Sequence, residues 1–341
     1  MKVSEFDFEL PEEVIALRPC VPRDSAKMLV VRPDGIEDQS VLDLAAHLNE
    51  KDILVFNDTK VLPVRLSGRI GEGQVEATLL KPLGDNKWSA LCKPGKRFRP
   101  GTKVDLDGLI AEVISKDISG EIILQFHAKN LLKALENKGK MPLPPYIAKK
   151  RAVDSRDFDD YQTLYARKVG AIAAPTAGLH FTDRMLETLK LKGIQTAFLT
   201  LHVGAGTFLP VKVDDTENHK MHAEWGEISK EVAEQINTAR KKGGRVIAVG
   251  TTSLRLLESA ADENGDVHPF KAETDIFITP GYSFKVVDVL MTNFHLPAST
   301  LFMLVSAFLG LDQMKAAYKH AIQNDYRFYS YGDSCLLFPK K

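Results

Sequence analysis

Apolar positions in the first sixty residues fall into short runs divided by polar turns. The run Ala26 to Arg32 predicts a strand, Val41 to Leu48 a short helix, and Ile53 to Phe56 a buried strand stopping at Asn57-Asp58-Thr59. The texture then changes. Val64–Ile70, Gln74–Lys81, Lys87–Lys93 and Ile110–Ser115 are short β-rich runs, punctuated by Gly71, Gly73, Gly84, Pro94-Gly95, Pro100-Gly101, Gly108 and Gly120. Close-spaced strands with turn signals predict a small all-β barrel or sandwich. Three prolines within Met141 to Tyr146 close that region, because proline continues neither a helix nor a central strand.

Helical and strand periods alternate again afterwards. A helix follows Thr182, then a strand at Ala197–Val203, and a helix from Ser229 to Lys242 that stops at Gly243-Gly244. Arg245 to Gly250 reads as a buried parallel strand, and Thr251-Thr252-Ser253 leads into a helix at Leu254–Ala261. Strands at Asp275–Thr279 and Val287–Met291 precede apolar helices near Leu301–Leu309 and Met314–Ile322. The predicted fold is a layered α/β core built from residues 1–62 and 148–341, with a small all-β barrel inserted at 63–147.

Composition refines this picture. The chain has 341 residues, and 45 Lys and Arg balance 45 Asp and Glu, so RNA could be bound only through a local basic patch. Cys20, Cys92 and Cys335 lie far apart, which excludes a disulfide framework or a cysteine-based zinc site and fits a reducing compartment. Acidic residues near Met1 leave no signal-peptide core, and the apolar run Leu301 to Leu311 is about half of the roughly 20 residues a membrane span needs. A cytoplasmic protein without membrane attachment is expected.

Four segments are denser in glycine, histidine and hydroxyls than a packed core requires: Ala173 to Thr182, Thr200 to Phe208, Val249 to Arg255, and Met291 to Thr300. Each sits where a strand ends or a helix begins, the usual ligand position in an open α/β sheet. Their candidate binding residues are Thr176, Gly178 and His180; Gly204 and Gly206; Thr251, Thr252, Ser253 and Arg255; and Asn293. Gly204-Ala205-Gly206 lacks the following helix of a dinucleotide fingerprint, since Pro210 intervenes. Gly250 to Ser253, with Arg255, fits an anion site at a helix start, although Thr252 or Ser253 could equally be a plain N-cap. His219 and His222 have helical spacing for two imidazoles, but without further ligands no metal is expected, and both are counted as substrate-binding residues. Lys96, Arg97 and Arg99 surround Phe98 on a loop of the inserted region, with Lys149-Lys150-Arg151 as a second cluster. Cations beside an aromatic could neutralise phosphates and stack a base, or form a solvated loop.

These segments, with Pro22–Ser25, Leu54–Pro63, Pro142–Ile147, Tyr161–Tyr165 and Tyr329–Asp333, resemble the S-adenosylmethionine:tRNA ribosyltransferase-isomerase family of queuosine biosynthesis. The resemblance runs in order through nearly the whole chain. Cys20 and Ser334-Cys335 depart from it, outside the glycine–histidine segments. It implies an α/β core interrupted by a β-barrel, and transfer of the ribosyl part of S-adenosylmethionine to 7-aminomethyl-7-deazaguanine in tRNA. The expected products are epoxyqueuosine, adenine and methionine. S-adenosylmethionine is then a cosubstrate, no separate cofactor is expected, and a monomer is the expected state. A methyltransferase using the same cosubstrate would instead release S-adenosylhomocysteine, and a non-catalytic RNA-binding module would give no reason for the polar strand ends.

Carbon beside a sulfonium is acidic, so this chemistry calls for a base near the ribose. Asp58, His180, His202, His219, His222, Glu224, His295 and Asp333 are the candidates. His202 is favoured because it ends a buried strand just before two glycines. His295 is second, Asp58 is the carboxylate retained beside them, and Asp333 is counted with the binding residues.

Overall fold

The computed structural model describes residues 1–118, 120–204, 206 and 211–340. In chain order its strands begin with β1 (Lys27–Arg32), β2 (Gly35–Ser40), β3 (Ile53–Asn57) and β4 (Thr59–Val61). Next come β5 (Arg65–Ile70), β6 (Gly73–Gly84), β7 (Lys87–Lys93), β8 (Lys103–Leu106), β9 (Leu109–Lys116) and β10 (Glu121–Phe126). After β11 (Lys168–Ala171) follow β12 (Gln195–Leu201), β13 (Glu224–Ile228), β14 (Val246–Val249), β15 (Phe270–Thr274), β16 (Val289–Asn293) and β17 (Ser334–Leu337). The helices are α1 (Leu131–Lys138), α2 (Pro145–Lys150), α3 (Asp157–Asp160), α4 (Asp183–Leu191), α5 (Lys230–Lys241), α6 (Thr251–Ser259), α7 (Thr300–Leu309) and α8 (Leu311–Gln323).

Two compact units result. One comprises Met1–Lys60, Gln162–Lys168 and Ala174–Lys341, the other Val61–Tyr161 and Val169–Ala173. The first holds a nine-stranded sheet in the order β15-β13-β12-β3-β14-β16-β17-β1-β2, and the second a closed barrel of β5 to β10. The mixed α/β fold with a closed barrel is thus the architecture expected from the sequence.

The sheet's middle, β12-β3-β14-β16, is parallel. Every residue of β3, β14 and β16 is buried, as a parallel strand covered on both faces demands. Alternation along β3 sends Leu54 and Phe56 to one face, where they join Ile247, Val249, Met291, Met185 and Leu189 in a single core. The amino ends of three strands are pinned by one aspartate, through its carboxylate and its backbone carbonyl. Buried Asp52 accepts hydrogen bonds from Arg245 Nη2 at 2.6 Å, Arg245 N at 2.9 Å and Asn49 N at 2.8 Å, while its own carbonyl accepts from Gln195 N. Burial pushes the Asp52 pKa up, but Arg245 and the two amides outweigh it, and the carboxyl ends below its ordinary value.

Val41–His47 is the short helix expected there, of 3-10 type. Two expectations need correction. Asp275–Thr279 is not a strand: the edge strand lies one step earlier, at β15, and beyond it the Ile276 carbonyl turns to Arg255 instead of a neighbouring strand. His219 and His222 lie on no helix; the chain there runs extended into β13.

Replacing Asp52 with Ala leaves Arg245 and two amides without their acceptor. We expect a loss of about 3 kcal/mol in urea unfolding at neutral pH. Because the folded-state pKa is depressed, this contribution is complete above the unfolded aspartate value near 4 and fades as pH falls through the folded value. The variant and the parent should therefore converge in stability in acid.

Candidate active site

The parallel strands deliver their polar ends to one edge of the sheet. β3 ends at Asn57-Asp58-Thr59, β12 at His202, β14 at Gly250-Thr251, and β16 at Asn293 to His295. Neighbouring carboxyl ends in a doubly wound sheet form the usual ligand crevice. The 3-10 turn Thr176–His180 joins this edge, since Nδ2 of Asn293 lies 3.4 Å from Nε2 of His180. Gly178 in that turn is obligatory: a Cβ there would stand 2.1 Å from the Tyr165 hydroxyl.

His202 is partly exposed. Its Nδ1 lies 2.8 Å from the Thr59 hydroxyl, and its ring stacks on Trp225 with centroids 5.2 Å apart. Burial lowers its pKa, while Asp58 and Glu227 oppose the shift. In the tautomer with Nδ1–H donating to Thr59, Nε2 presents a bare lone pair.

The other candidates are more heavily engaged. Asp58 accepts from Thr200 Oγ1 at 2.6 Å on one oxygen and from Arg167 at 3.2 Å on the other. It buttresses β12; it is not a free base. Asp333 accepts from the Lys27 and Arg327 amides and from the Arg327 guanidinium. The His180 imidazole is held near pKa 4 by burial and bonds both the Arg23 backbone and Asn293. His295, buried and lowered to about 3, meets the Thr292 hydroxyl at 3.2 Å.

Asn293 is oriented by its neighbours. Its Nδ2 must face the Tyr329 carbonyl at 3.3 Å, which can only accept, so Oδ1 points elsewhere and is left buried without a donor. Tyr329 supplies that carbonyl from a φ of 77°, a strained conformation for a tyrosine.

The Gly250 turn departs from its expected form. α6 already begins at Thr251, with Gly250 as N-cap at a φ of 90° and no side-chain cap, so neither Thr252 nor Ser253 caps it. Ser253 donates back to the Val249 carbonyl, and Oγ1 of Thr252 is buried without a partner. Arg255 points inward, where Nη1 pairs with Glu224, Nε donates to the Ile276 carbonyl at 3.3 Å, and Nη2 is unpartnered. Glu224 uses its other oxygen to accept from Gly204 N at 2.8 Å. Sequence reading named Glu224 only as a candidate base and missed this pairing, because nothing local links positions 31 residues apart.

His219 packs edge-on against Phe277, and His222 is exposed beside Gly206. Ala205 and residues 207–210 of the same segment lie outside the described residues. Among the described residues no three His, Cys, Asp or Glu side chains come together as a metal site.

In the barrel unit, Lys96, Arg97 and Arg99 are exposed on the loop after β7. Phe98 is buried at 1% exposure and cannot stack a base there, so that expectation is overturned: Phe98 anchors the loop in the barrel core. Arg151 of the second cluster is committed to Asp157, at 2.6 and 2.9 Å. Charge is unevenly divided between the units. Residues 61–161 and 169–173 carry 18 Lys and Arg against 13 Asp and Glu, giving +5, so the remainder, 27 against 32, carries −5.

A largely parallel sheet with polar strand ends gathered on one edge, interrupted by a closed barrel, defines an α/β enzyme class with an inserted β-domain. A family model described as queuosine biosynthesis protein matches residues 3–337, and the chain belongs to that family. A relative from Allorhizobium ampelinum named S-adenosylmethionine:tRNA ribosyltransferase-isomerase is 59% identical over all of this chain and 99% of its own length. One of the same name from Parvibaculum lavamentivorans is 58% identical, covering 99% of each chain. The crystal structure of S-adenosylmethionine tRNA ribosyltransferase from Thermotoga maritima aligns with a TM-score of 0.56 at 33% identity, over 98% of this chain and 100% of that one.

The buried pair Glu224–Arg255 yields a thermodynamic test. Glu224→Gln or Arg255→Met alone leaves a buried charge uncompensated and should each cost about 3–5 kcal/mol. The double variant should recover a large part of that loss in a denaturation cycle. Additive losses would show that the two side chains do not act as a pair.

Proposed function

We infer that this chain moves and isomerises the ribosyl part of S-adenosylmethionine onto 7-aminomethyl-7-deazaguanine at the tRNA wobble position. Epoxyqueuosine is formed, and adenine and methionine are released. The reading rests on membership of the queuosine biosynthesis family and on the names of its relatives. The observation supporting it most directly is the partly exposed His202 imidazole at the carboxyl ends of the parallel strands, its Nδ1 2.8 Å from the Thr59 hydroxyl. The enzyme acts in the cytoplasm as a monomer and uses no separate cofactor. Among the described residues no helix is long and apolar enough to cross a membrane.

In this reading His202 removes a proton from the ribose carbon beside the sulfonium, and Thr59 fixes the ring tautomer. The electron pair left on that carbon drives opening of the sugar and departure of adenine. The methionine carboxylate sits at the start of α6, where first-turn amides and the Thr252 hydroxyl face it, while Arg255, paired with Glu224, holds the surrounding frame. Asn293 Oδ1 accepts an N–H from a base. Thr176, Gly178, His180, Thr251 and Ser253 shape the rest of the crevice. His295 takes a supporting place because its proton affinity is too low for a base near neutrality.

His202→Ala should bind both substrates yet slow single-turnover adenine release by about a hundredfold or more; near-normal release excludes the role. Because the His202 pKa is lowered, the imidazole remains a base as pH falls below about 6.5, the usual histidine value. The acid limb of kcat/KM should therefore lie below that pH, and a limb above it would contradict the assignment.

The tRNA is held partly by Lys96, Arg97 and Arg99, acting as phosphate contacts without base stacking. Reversing all three to Glu should weaken tRNA binding at least tenfold while S-adenosylmethionine binding is unchanged. Unchanged tRNA affinity removes the loop from the interface.

A further inference from the structure

The barrel carries an open groove of about 1010 Å³ on its own surface. It lies where β5 and β8 meet at one register pair, Arg69 opposite Asp105, and its rim includes the end of β7 and the segment after α1. Four cations line it: Arg69, Lys93, Lys138 and Lys140.

The acids beside them are largely occupied. Glu76 is paired with Arg65 at 2.9 Å, and Asp105 accepts from the Gly108 amide at 2.6 Å. Lys138 donates to the Asp107 backbone carbonyl. Arg69, Lys93 and Lys140 are exposed, and among the described residues no carboxylate pairs with them. Three exposed cations without an ion-pair partner, in a lining whose four cations outnumber its three carboxylates and on a unit of net charge +5, form a binding site for a polyanion.

The lining also says how such a ligand is read. It contains no aromatic side chain, so nothing there can stack an unpaired base. Long flexible cations without a stacking platform neutralise phosphates and carry little sequence information. We propose that this groove is a second RNA contact, taking the sugar-phosphate backbone of the tRNA in addition to the loop at Lys96 to Arg99. The proposal rests on tRNA being the substrate. The groove would orient the molecule by its shape and leave recognition of the modified base to the sheet edge.

The test compares two triple variants that remove equal charge from exposed positions. Arg69→Gln/Lys93→Gln/Lys140→Gln empties the groove, whereas Lys87→Gln/Lys129→Gln/Lys133→Gln changes barrel lysines outside its lining. Titrations of tRNA between about 50 and 200 mM salt should show at least a tenfold loss of affinity for the first variant, against less than about twofold for the second. The slope of log affinity against log salt should flatten by roughly 2 to 3 for the groove variant, near one unit for each lost contact. Equal losses in both variants, or an unchanged slope, would overturn the proposal. Competition by millimolar inorganic phosphate at constant ionic strength would overturn it too, in favour of a small-anion site. Adenine release by the parent enzyme is measured alongside: its absence would refute the assigned reaction, while the salt slopes would still judge the groove.

Discussion

The buried pair of Glu224 and Arg255 is the constraint on which the site depends. Its two side chains are each 6% exposed, so neither charge has water to fall back on. Each therefore needs its full set of partners, and those partners are the segments that must be held together. Glu224 takes the Gly204 amide and thereby holds the backbone two residues after His202. Arg255 rises from α6 and takes the Ile276 carbonyl beyond β15. A hydrophobic pair of similar volume could fill the same space, but it could not specify which amide and which carbonyl come to meet it. Arg255 is thus a positioning residue first, and any effect it has on an anion at the α6 start passes through this frame.

The opposite end of the sheet uses the same device. Asp52 gathers the amino ends of β3 and β14 and the start of β12, just as Glu224 and Arg255 organise loops at the carboxyl edge. The strands between them are apolar apart from Asn57, which ends β3 and holds both backbone groups of Leu201. Buried polar and charged groups supply the register that the apolar interior cannot. The barrel, in contrast, keeps most of its charge on the surface, where it adds little to stability and is available to a polyanion.

How much of this was readable in the sequence depends on how local each signal is. β3, β14 and the stop of α5 at Gly243-Gly244 are written in contiguous residues, and they appear where expected. The polar strand ends were recognisable because hydroxyl, glycine and imidazole groups crowd beside apolar runs. β13 and β17 went unnoticed: β13 follows a polar histidine-bearing stretch, and β17 is only four residues long. Phe98 was misjudged because flanking cations conceal an inward anchor; only tertiary packing shows that its ring faces the barrel core. The spacing of His219 and His222 suits a helix, but that stretch leads directly into β13, which pairs with β15 on one side and β12 on the other. Such failures share a cause, since sequence spacing cannot anticipate partners supplied by distant segments.

Burial also sorts the imidazoles among themselves. His180 and His295 are enclosed deeply enough that their pKa values fall to about 4 and 3, so a proton gained there would be a poorly solvated charge. Their nitrogens serve as fixed hydrogen-bonding partners, which suits groups that orient a ligand without changing charge. A base must accept a proton and remain stable while it holds one. In the proposed reaction His202 answers both demands: burial lowers its pKa, while the carboxylates of Asp58 and Glu227 oppose that shift. Asp58, held by Thr200 and Arg167, would then act through its field on the proposed imidazole base at the end of β12, and not as the base itself.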